Sequence, residues 1–175
     1  NICPICMGYP GTLPTINQEA VKKVMMVGLA LGGKINNFSP KGRASGYSQF
    51  DRKNYFYPDL PKGYQISQYK HPLVEGGFLE IPNDKTQITN KIQNPNIKTR
   101  RNIRIRRIHL EEDTGRLIHD SDKESSLVDF NRAGVPLMEL VTEPDFRLAE
   151  EVIIFGGEFQ KILRYLEASD ANMEK

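Results

Sequence analysis

Arg101-Asn102-Ile103-Arg104-Ile105-Arg106-Arg107-Ile108-His109-Leu110-Glu111-Glu112 is the stretch on which the fold turns. Ile103 and Ile105 alternate with polar residues, and Ile108 and Leu110 alternate in the opposite phase. This period of two predicts a long strand over 101–112. An extra residue near Arg106-Arg107 restores one apolar face, as a β-bulge does, and places Arg104, His109 and Glu111 on the polar face. Without a bulge, His109 and Glu111 fall on the face of Ile103. Both readings keep His109 and Glu111 together. A turn at Asp113-Thr114-Gly115 follows, then short strands at 116–119 and 127–130. The apolar run from Val135 to Thr142 predicts a strand buried on both faces, with Pro136 at its start.

Upstream, Asn17 caps a predicted helix that runs to about Leu31, with Val21, Val24, Met25 and Leu29 on one face and Gly32-Gly33 at its end. Residues 36–49 read as an exposed polar loop, 50–64 as a turn-rich segment, 64–69 and 77–81 as short strands, and 82–98 as a polar connection. A final helix is predicted over 148–167, with Val152, Phe155, Phe159, Ile162, Leu163 and Leu166 at helical spacing. Gly156-Gly157 in its middle costs about 1 kcal/mol per glycine relative to alanine, which predicts a kink or a break. One helix, many short strands and one helix make an α+β chain with an antiparallel or mixed sheet.

The chain has 175 residues, 38% hydrophobic and 26% charged, which suits one domain or a large piece of a bigger one and excludes a disordered chain. No apolar run approaches the roughly eighteen residues of a membrane span, and no basic n-region with an apolar h-region stands at the start. Both ends read as cuts, so the chain is taken as a fragment. A net charge of +2, from 24 basic and 22 acidic residues, does not by itself predict nucleic-acid binding. Cys3 and Cys6 share one C-x₂-C run, which points to a metal half-site or a redox pair and to a reducing cytoplasm or organelle matrix.

Four features can carry chemistry. His109-Leu110-Glu111-Glu112-Asp113 groups carboxylates at a strand end, which suits Mg²⁺ and equally suits a solvated acidic turn. Glu139 lies inside the apolar run, where a carboxylate needs a cation or a metal. Glu143 and Asp145 follow, and a multi-carboxylate pocket forms if the two strands are neighbours. The stretch from Phe50 to Gln65 pairs Arg52 and Lys53 beside Asp51 among aromatics, and reads as an anion site or a charged surface loop. Lys98, Arg100, Arg101, Arg104, Arg106 and Arg107 make a stripe of six cations in ten residues, either a phosphate-backbone contact or a solvated edge strand. Cys3 and Cys6 supply half of a tetrahedral zinc site, or two spare thiols. No P-loop, G-x-G-x-x-G, G-x-S-x-G or H-E-x-x-H pattern is present.

Taken together, these residues closely resemble the B subunit of the glutamyl/aspartyl-tRNA amidotransferase and its archaeal relative, the E subunit. The resemblance covers nearly the whole chain. It rests on Cys3 to Gly11, Phe50 to Gln68, Gly76 to Ile81, Ile105 to His119, and Asn131 to Asp145. It implies a catalytic cradle domain similar in fold to glutamine synthetase, a saddle-shaped antiparallel sheet with flanking helices, of which residues 1–175 are a fragment. The family binds misacylated tRNA and uses Mg-ATP to phosphorylate the side-chain carboxylate of Glu-tRNA or Asp-tRNA. It then amidates that carboxylate with ammonia from the amidase (A) subunit, with the small (C) subunit tying the two together. No membrane partner is expected.

By resemblance, Glu111 and Glu112 belong to the metal-binding and channel-mouth region, with Glu112 the best single Mg²⁺ ligand and His109 beside it. Arg52 and Lys53 match the Asp-Arg-Lys motif for phosphate or substrate contact. Lys62, Tyr64 and Gln65 line the same pocket, Arg104 and Arg106 are taken as substrate or ATP contacts, and Glu139 and Glu143 belong to the acidic pocket or tunnel. Cys3 and Cys6 match the second half of a zinc site seen in some members. An upstream strand with a Glu and a His, an earlier cysteine pair, and the downstream strand and tail domains are missing from these residues, so the fragment is expected to be inactive alone. Residues 40–47 look inserted. A second reading, on the arginine stripe and the cysteine pair, is a non-catalytic tRNA-binding or assembly module.

Overall fold

The computed structural model of the chain describes residues 3–38, 47–82, 100–119 and 125–172. All but the last residue of the stretch 40–47 that looks inserted, most of the connection over 82–98 and Lys98 lie outside them. In chain order the elements are α1 (Gln18–Ala30), β1 (Lys34–Ile35), β2 (Asn37–Phe38), β3 (Tyr47–Ser48), β4 (Asp51–Asn54), β5 (Tyr64–Ser67), β6 (Val74–Glu75), β7 (Phe78–Pro82), β8 (Arg100–Glu112), β9 (Arg116–His119), β10 (Ser126–Asp129), β11 (Pro136–Thr142) and α2 (Ala149–Tyr165). The α+β expectation holds. One sheet runs β1-β6-β8-β11 with β7 also on β8, and β9–β10, β2–β3 and β4–β5 form two-stranded sheets. β2–β3 is parallel, while β1–β6, β6–β8, β7–β8, β4–β5 and β9–β10 are antiparallel. None of the described helices is long and apolar enough to cross a membrane.

The chain forms two compact units. The first comprises Asn1–Lys22, Asn36–Leu73 and His109–Glu139, and the second Lys23–Ile35, Val74–Ile108 and Leu140–Lys175. In the second unit, the phase change expected near Arg106-Arg107 takes a different form from a bulge. The pairings Val74↔Ile108, Glu75↔Arg107, Phe78↔Arg104 and Leu79↔Ile103 keep one register, so no residue is inserted. Instead the ladder itself breaks. Gly76 N–H donates to the Arg106 carbonyl (3.2 Å), and Ile105 N–H donates to the Gly77 carbonyl (2.9 Å). Adjacent residues on both strands thus bond to each other, where a regular ladder would skip one. Ile103, Ile105 and Ile108 are all buried as a result. Gly77 makes the break possible. Its φ is +99°, and a Cβ there would stand 2.6 Å from the Leu31 carbonyl, which accepts the Phe78 N–H.

One core cluster of this unit is Ile81, Ile103 and Phe155, with Leu79, Leu140, Phe146, Ile154 and Phe159 packed on it. Phe155 meets Phe146 edge-on and stacks on Phe159. α2 continues unbroken through Gly156-Gly157, contrary to the expected kink. Those glycines face open space, and the helix is anchored through its other side by Phe155 and the buried Glu151. Val152 is exposed, so it does not belong to the buried face. In α1 the buried hydrophobic positions are Val21, Val24 and Val27, Leu31 just after the helix is buried too, and Leu29 points to solvent. Val21 and Val24 of the predicted stripe are therefore buried and Met25 is half-buried, while Leu29 is not part of the buried face.

The arginines of β8 do not form a free stripe. Arg101 pairs with Glu151 (2.6 Å) and donates to the Asp145 carbonyl, Arg104 binds both oxygens of Asp145, and Arg106 binds both of Glu143. Asp145 also accepts the Arg104 backbone N–H (2.9 Å), so the guanidinium and amide of Arg104 hold its carboxyl well below the usual carboxylate range. A depressed carboxyl stabilises the fold above its unfolded value and loses that contribution as pH falls through the folded one. Asp145→Asn is therefore expected to lower the melting temperature at pH 7, with the gap to wild type closing as the pH is taken down into the acid range. A gap independent of pH would refute it.

In the first unit, Asn17 caps α1, its Oδ1 accepting from Glu19 N–H (2.9 Å) and Ala20 N–H (3.2 Å). Residues 36 and 48, read as exposed loop, are buried. Asn36 is drawn in by the carbonyls of Leu73 and Pro72, and Ser48 by the Gln68 amide. β11 starts at Pro136 as expected, yet none of its residues is buried. It ends the sheet path, so among the described residues no strand covers its outer edge.

Candidate functional site

The site lies within the first unit, where β5 and the residue after it brace the end of β8. Gln65 Nε2 donates to the Glu112 carbonyl (2.8 Å), Ile66 N–H to Glu112 Oε1 (2.7 Å), Ser67 Oγ to Glu111 Oε2 (2.9 Å), and Gln68 Oε1 accepts the Leu110 N–H (3.1 Å). Four consecutive residues therefore fasten the acidic end of the strand. The Lys62 ammonium binds Glu112 Oε2, and both side chains are nearly closed to water (3% and 12% exposed). Both carboxylate oxygens of Glu112 thus have protein partners.

Glu111 is placed differently. Its Oε2 stands 3.6 Å from His109 Nε2, and Glu139 Oε2 stands 3.6 Å from the same nitrogen. The donor atoms of His109, Glu111 and Glu139 lie within 4.8 Å of one another. The neighbouring strands supply this grouping, as the sequence condition for a multi-carboxylate pocket required. His109 is buried, and its Nδ1 has no hydrogen-bond partner among the described residues. The His109 imidazole, helped by the Ser67 hydroxyl and the Lys53 charge, holds the Glu111 carboxyl below its ordinary value against desolvation. Glu139 is half exposed, which leaves one side open to water or ligand. Two carboxylates, one imidazole and an open side fit a hard divalent cation that keeps waters and phosphate oxygens.

The remaining expected residues divide. Arg52 and Lys53 are exposed on β4, paired with Ile66 and Gln65. The Arg52 guanidinium lies 5.5 Å, and Lys62 Nζ 5.2 Å, from the centre of the Tyr64 ring. Tyr64 therefore serves as a platform for two cations. Glu143, Arg104 and Arg106 belong to the second unit and are engaged with each other or with Asp145, so they do not join this grouping. Ser67 and Gln68 were not singled out from the sequence. Their signal was weak: two polar residues continuing a strand into a buried position.

Cys3 and Cys6 sit on a tight turn with their sulfurs 3.5 Å apart, and the Cys6 thiol donates to the Ala133 carbonyl (3.6 Å). Contacts with Cys6 lower the Cys3 thiol, while burial raises that of Cys6. Gly134, at φ +76°, leaves room for Cys6 Sγ, which a Cβ there would meet at 2.6 Å. Among the described residues no third metal donor joins the two thiols. A cavity of about 190 Å³ has Cys3, Cys6, Lys62 and Glu112 among its lining residues, together with Ile5, Phe50 and Ile66.

The family model described as "GatB/GatE catalytic domain" matches residues 1–175. The B subunit of the aspartyl/glutamyl-tRNA(Asn/Gln) amidotransferase from Rippkaea orientalis is 49% identical over 182 residues, covering all of this chain and 33% of that protein. Its counterpart from Thermomicrobium roseum is 50% identical over 177 residues (100% and 32%), and that from Thermotoga maritima 48% over 178 residues (99% and 32%). The chain spans about a third of the length of the curated relatives it matches.

Proposed function

The chain belongs to the GatB/GatE catalytic domain family, and on that premise we propose that it is part of the catalytic cradle of a tRNA-dependent amidotransferase, with the saddle-shaped sheet of glutamine synthetase. The reaction has two steps. A carboxylate oxygen of the Glu or Asp carried by tRNA attacks the γ-phosphorus of ATP, forming an acyl phosphate and releasing ADP. Ammonia then attacks the acyl carbon, phosphate leaves, a proton is lost, and Gln-tRNA or Asn-tRNA results. A carboxylate is a poor electrophile and an acyl phosphate a good one, so the protein's work is positioning and charge stabilisation.

The observation that carries this reading is the convergence of His109, Glu111 and Glu139 at one point. These three would hold the Mg²⁺, which when bound neutralises phosphate charge. Arg52 and Lys53 present cations from β4 to the anionic substrate, and Tyr64 and Gln65 hold Arg52, Lys62 and the end of β8 in place. The buried Lys62–Glu112 pair borders the cavity and belongs to the ammonia path. Cys3 and Cys6 would bind zinc with two ligands from outside the described residues. The partners are misacylated tRNA and two further subunits, the amidase (A) and the small (C) one. The cytoplasm or an organelle matrix is the compartment.

The test is amidation by the full-length protein assembled with its amidase and small subunits, given glutamine and either Glu-tRNA(Gln) or Asp-tRNA(Asn), with and without Mg-ATP. Product only with Mg-ATP is expected. Product without ATP, or none with either tRNA while the amidase still hydrolyses glutamine, would overturn the reading.

A further inference from the structure

We infer that Ser67 and Gln68 are positioning residues for the His109–Glu111–Glu139 group, an inference that rests on the metal reading above. Glu111 has one carboxylate oxygen, Oε2, that both faces His109 Nε2 and accepts the Ser67 hydroxyl at 2.9 Å. A glutamate side chain has three rotatable bonds, and a metal site needs its carboxylates held in one arrangement before the ion arrives. The Ser67 hydroxyl supplies that restraint.

Gln68 restrains the backbone between the two β8 ligands. The ladder of β8 with β6 ends at Val74↔Ile108. Two residues on, the Leu110 N–H is met by the Gln68 side chain, where a neighbouring strand would otherwise serve it. Gln68 is 1% exposed, and its amide group is itself pinned by Ser48 Oγ (2.7 Å), the Gln49 carbonyl (3.2 Å) and the His71 carbonyl (3.2 Å). Leu110 lies between His109 and Glu111, so fixing its peptide fixes the origin of both ligand side chains. A buried amide with every polar atom engaged does this with little freedom left.

The experiment titrates Mn²⁺ into the full-length complex without ATP and follows free Mn²⁺ by its electron paramagnetic resonance signal. Ser67→Ala and the near-isosteric Gln68→Met are each expected to weaken binding by about tenfold or more, the scale of losing a group that orients a ligand. Ser67→Thr keeps the hydroxyl, suits a strand, and is expected to restore wild-type affinity. Ser67→Ala removes a single oxygen and serves as the deciding variant if Gln68→Met does not fold. Wild-type affinity in Ser67→Ala overturns the inference, whatever its melting temperature, provided Glu111→Gln weakens binding. No Mn²⁺ binding by the wild type brings down the metal reading itself, and the inference with it.

Discussion

Glu111→Gln, in the full-length protein assembled with its partner subunits, is expected to lower tRNA amidation by about 10²–10³-fold, the scale of removing one preorganised charge-stabilising group, while the amidase still hydrolyses glutamine. The substitution is nearly isosteric. A glutamine Oε1 still accepts the Ser67 hydroxyl, so the local hydrogen bond is kept and only the charge is lost. In the wild type His109, Ser67 and Lys53 all favour the ionised carboxylate. The negative charge is therefore a built property of the site and its removal is the perturbation. Mn²⁺ affinity should fall with activity. Retained amidation would remove Glu111 from the metal group and with it the proposal that His109, Glu111 and Glu139 act together.

The sequence placed Glu111 and Glu112 side by side and favoured Glu112 as ligand. The structure gives them different neighbours. Successive residues of a strand point to opposite sides, and here Glu111 meets Ser67 and His109 while Glu112 meets Lys62 and the Ile66 N–H. Which one meets Lys62 depends on where the turn at Pro61-Lys62-Gly63 delivers its side chain, a non-local fact that no spacing contains. The long strand, the capped first helix and the last helix were legible because periodicity and capping are local. The break in the β8 ladder was legible only as a phase change in the isoleucines. Its cause, Gly76-Gly77, lies some thirty residues away on the facing chain. The arginine stripe misled for a related reason. Composition counts cations, while Glu143, Asp145 and Glu151, which neutralise three of them, arrive from β11's end and from α2. Ser67 and Gln68 escaped notice because a polar residue at the end of a strand usually faces water, and here both are buried.

Lys62→Met is expected to destabilise the protein by about 3 kcal/mol or more, the cost of leaving one member of a buried ion pair without its partner. The Lys62 side chain is 3% exposed and that of Glu112 12% exposed, so bulk solvent has little access to the charge left behind. The Ile66 N–H would still serve Glu112 Oε1, and the Gln65 amide would still hold the Glu112 carbonyl, so the backbone has little room to carry the carboxylate out to solvent. Methionine fills a similar volume, which separates the electrostatic loss from a cavity. Lys62→Met/Glu112→Gln is then expected to recover much of the stability, because an amide in that place keeps its hydrogen bond to Ile66 and carries no charge. Urea unfolding of the four proteins in the cycle measures the coupling, expected at about 2–3 kcal/mol for residues in direct contact. A single-variant cost under about 1 kcal/mol would mean that the pair behaves as a solvated surface pair. The cavity beside it would then be open to bulk water and unsuited to carrying ammonia between partners.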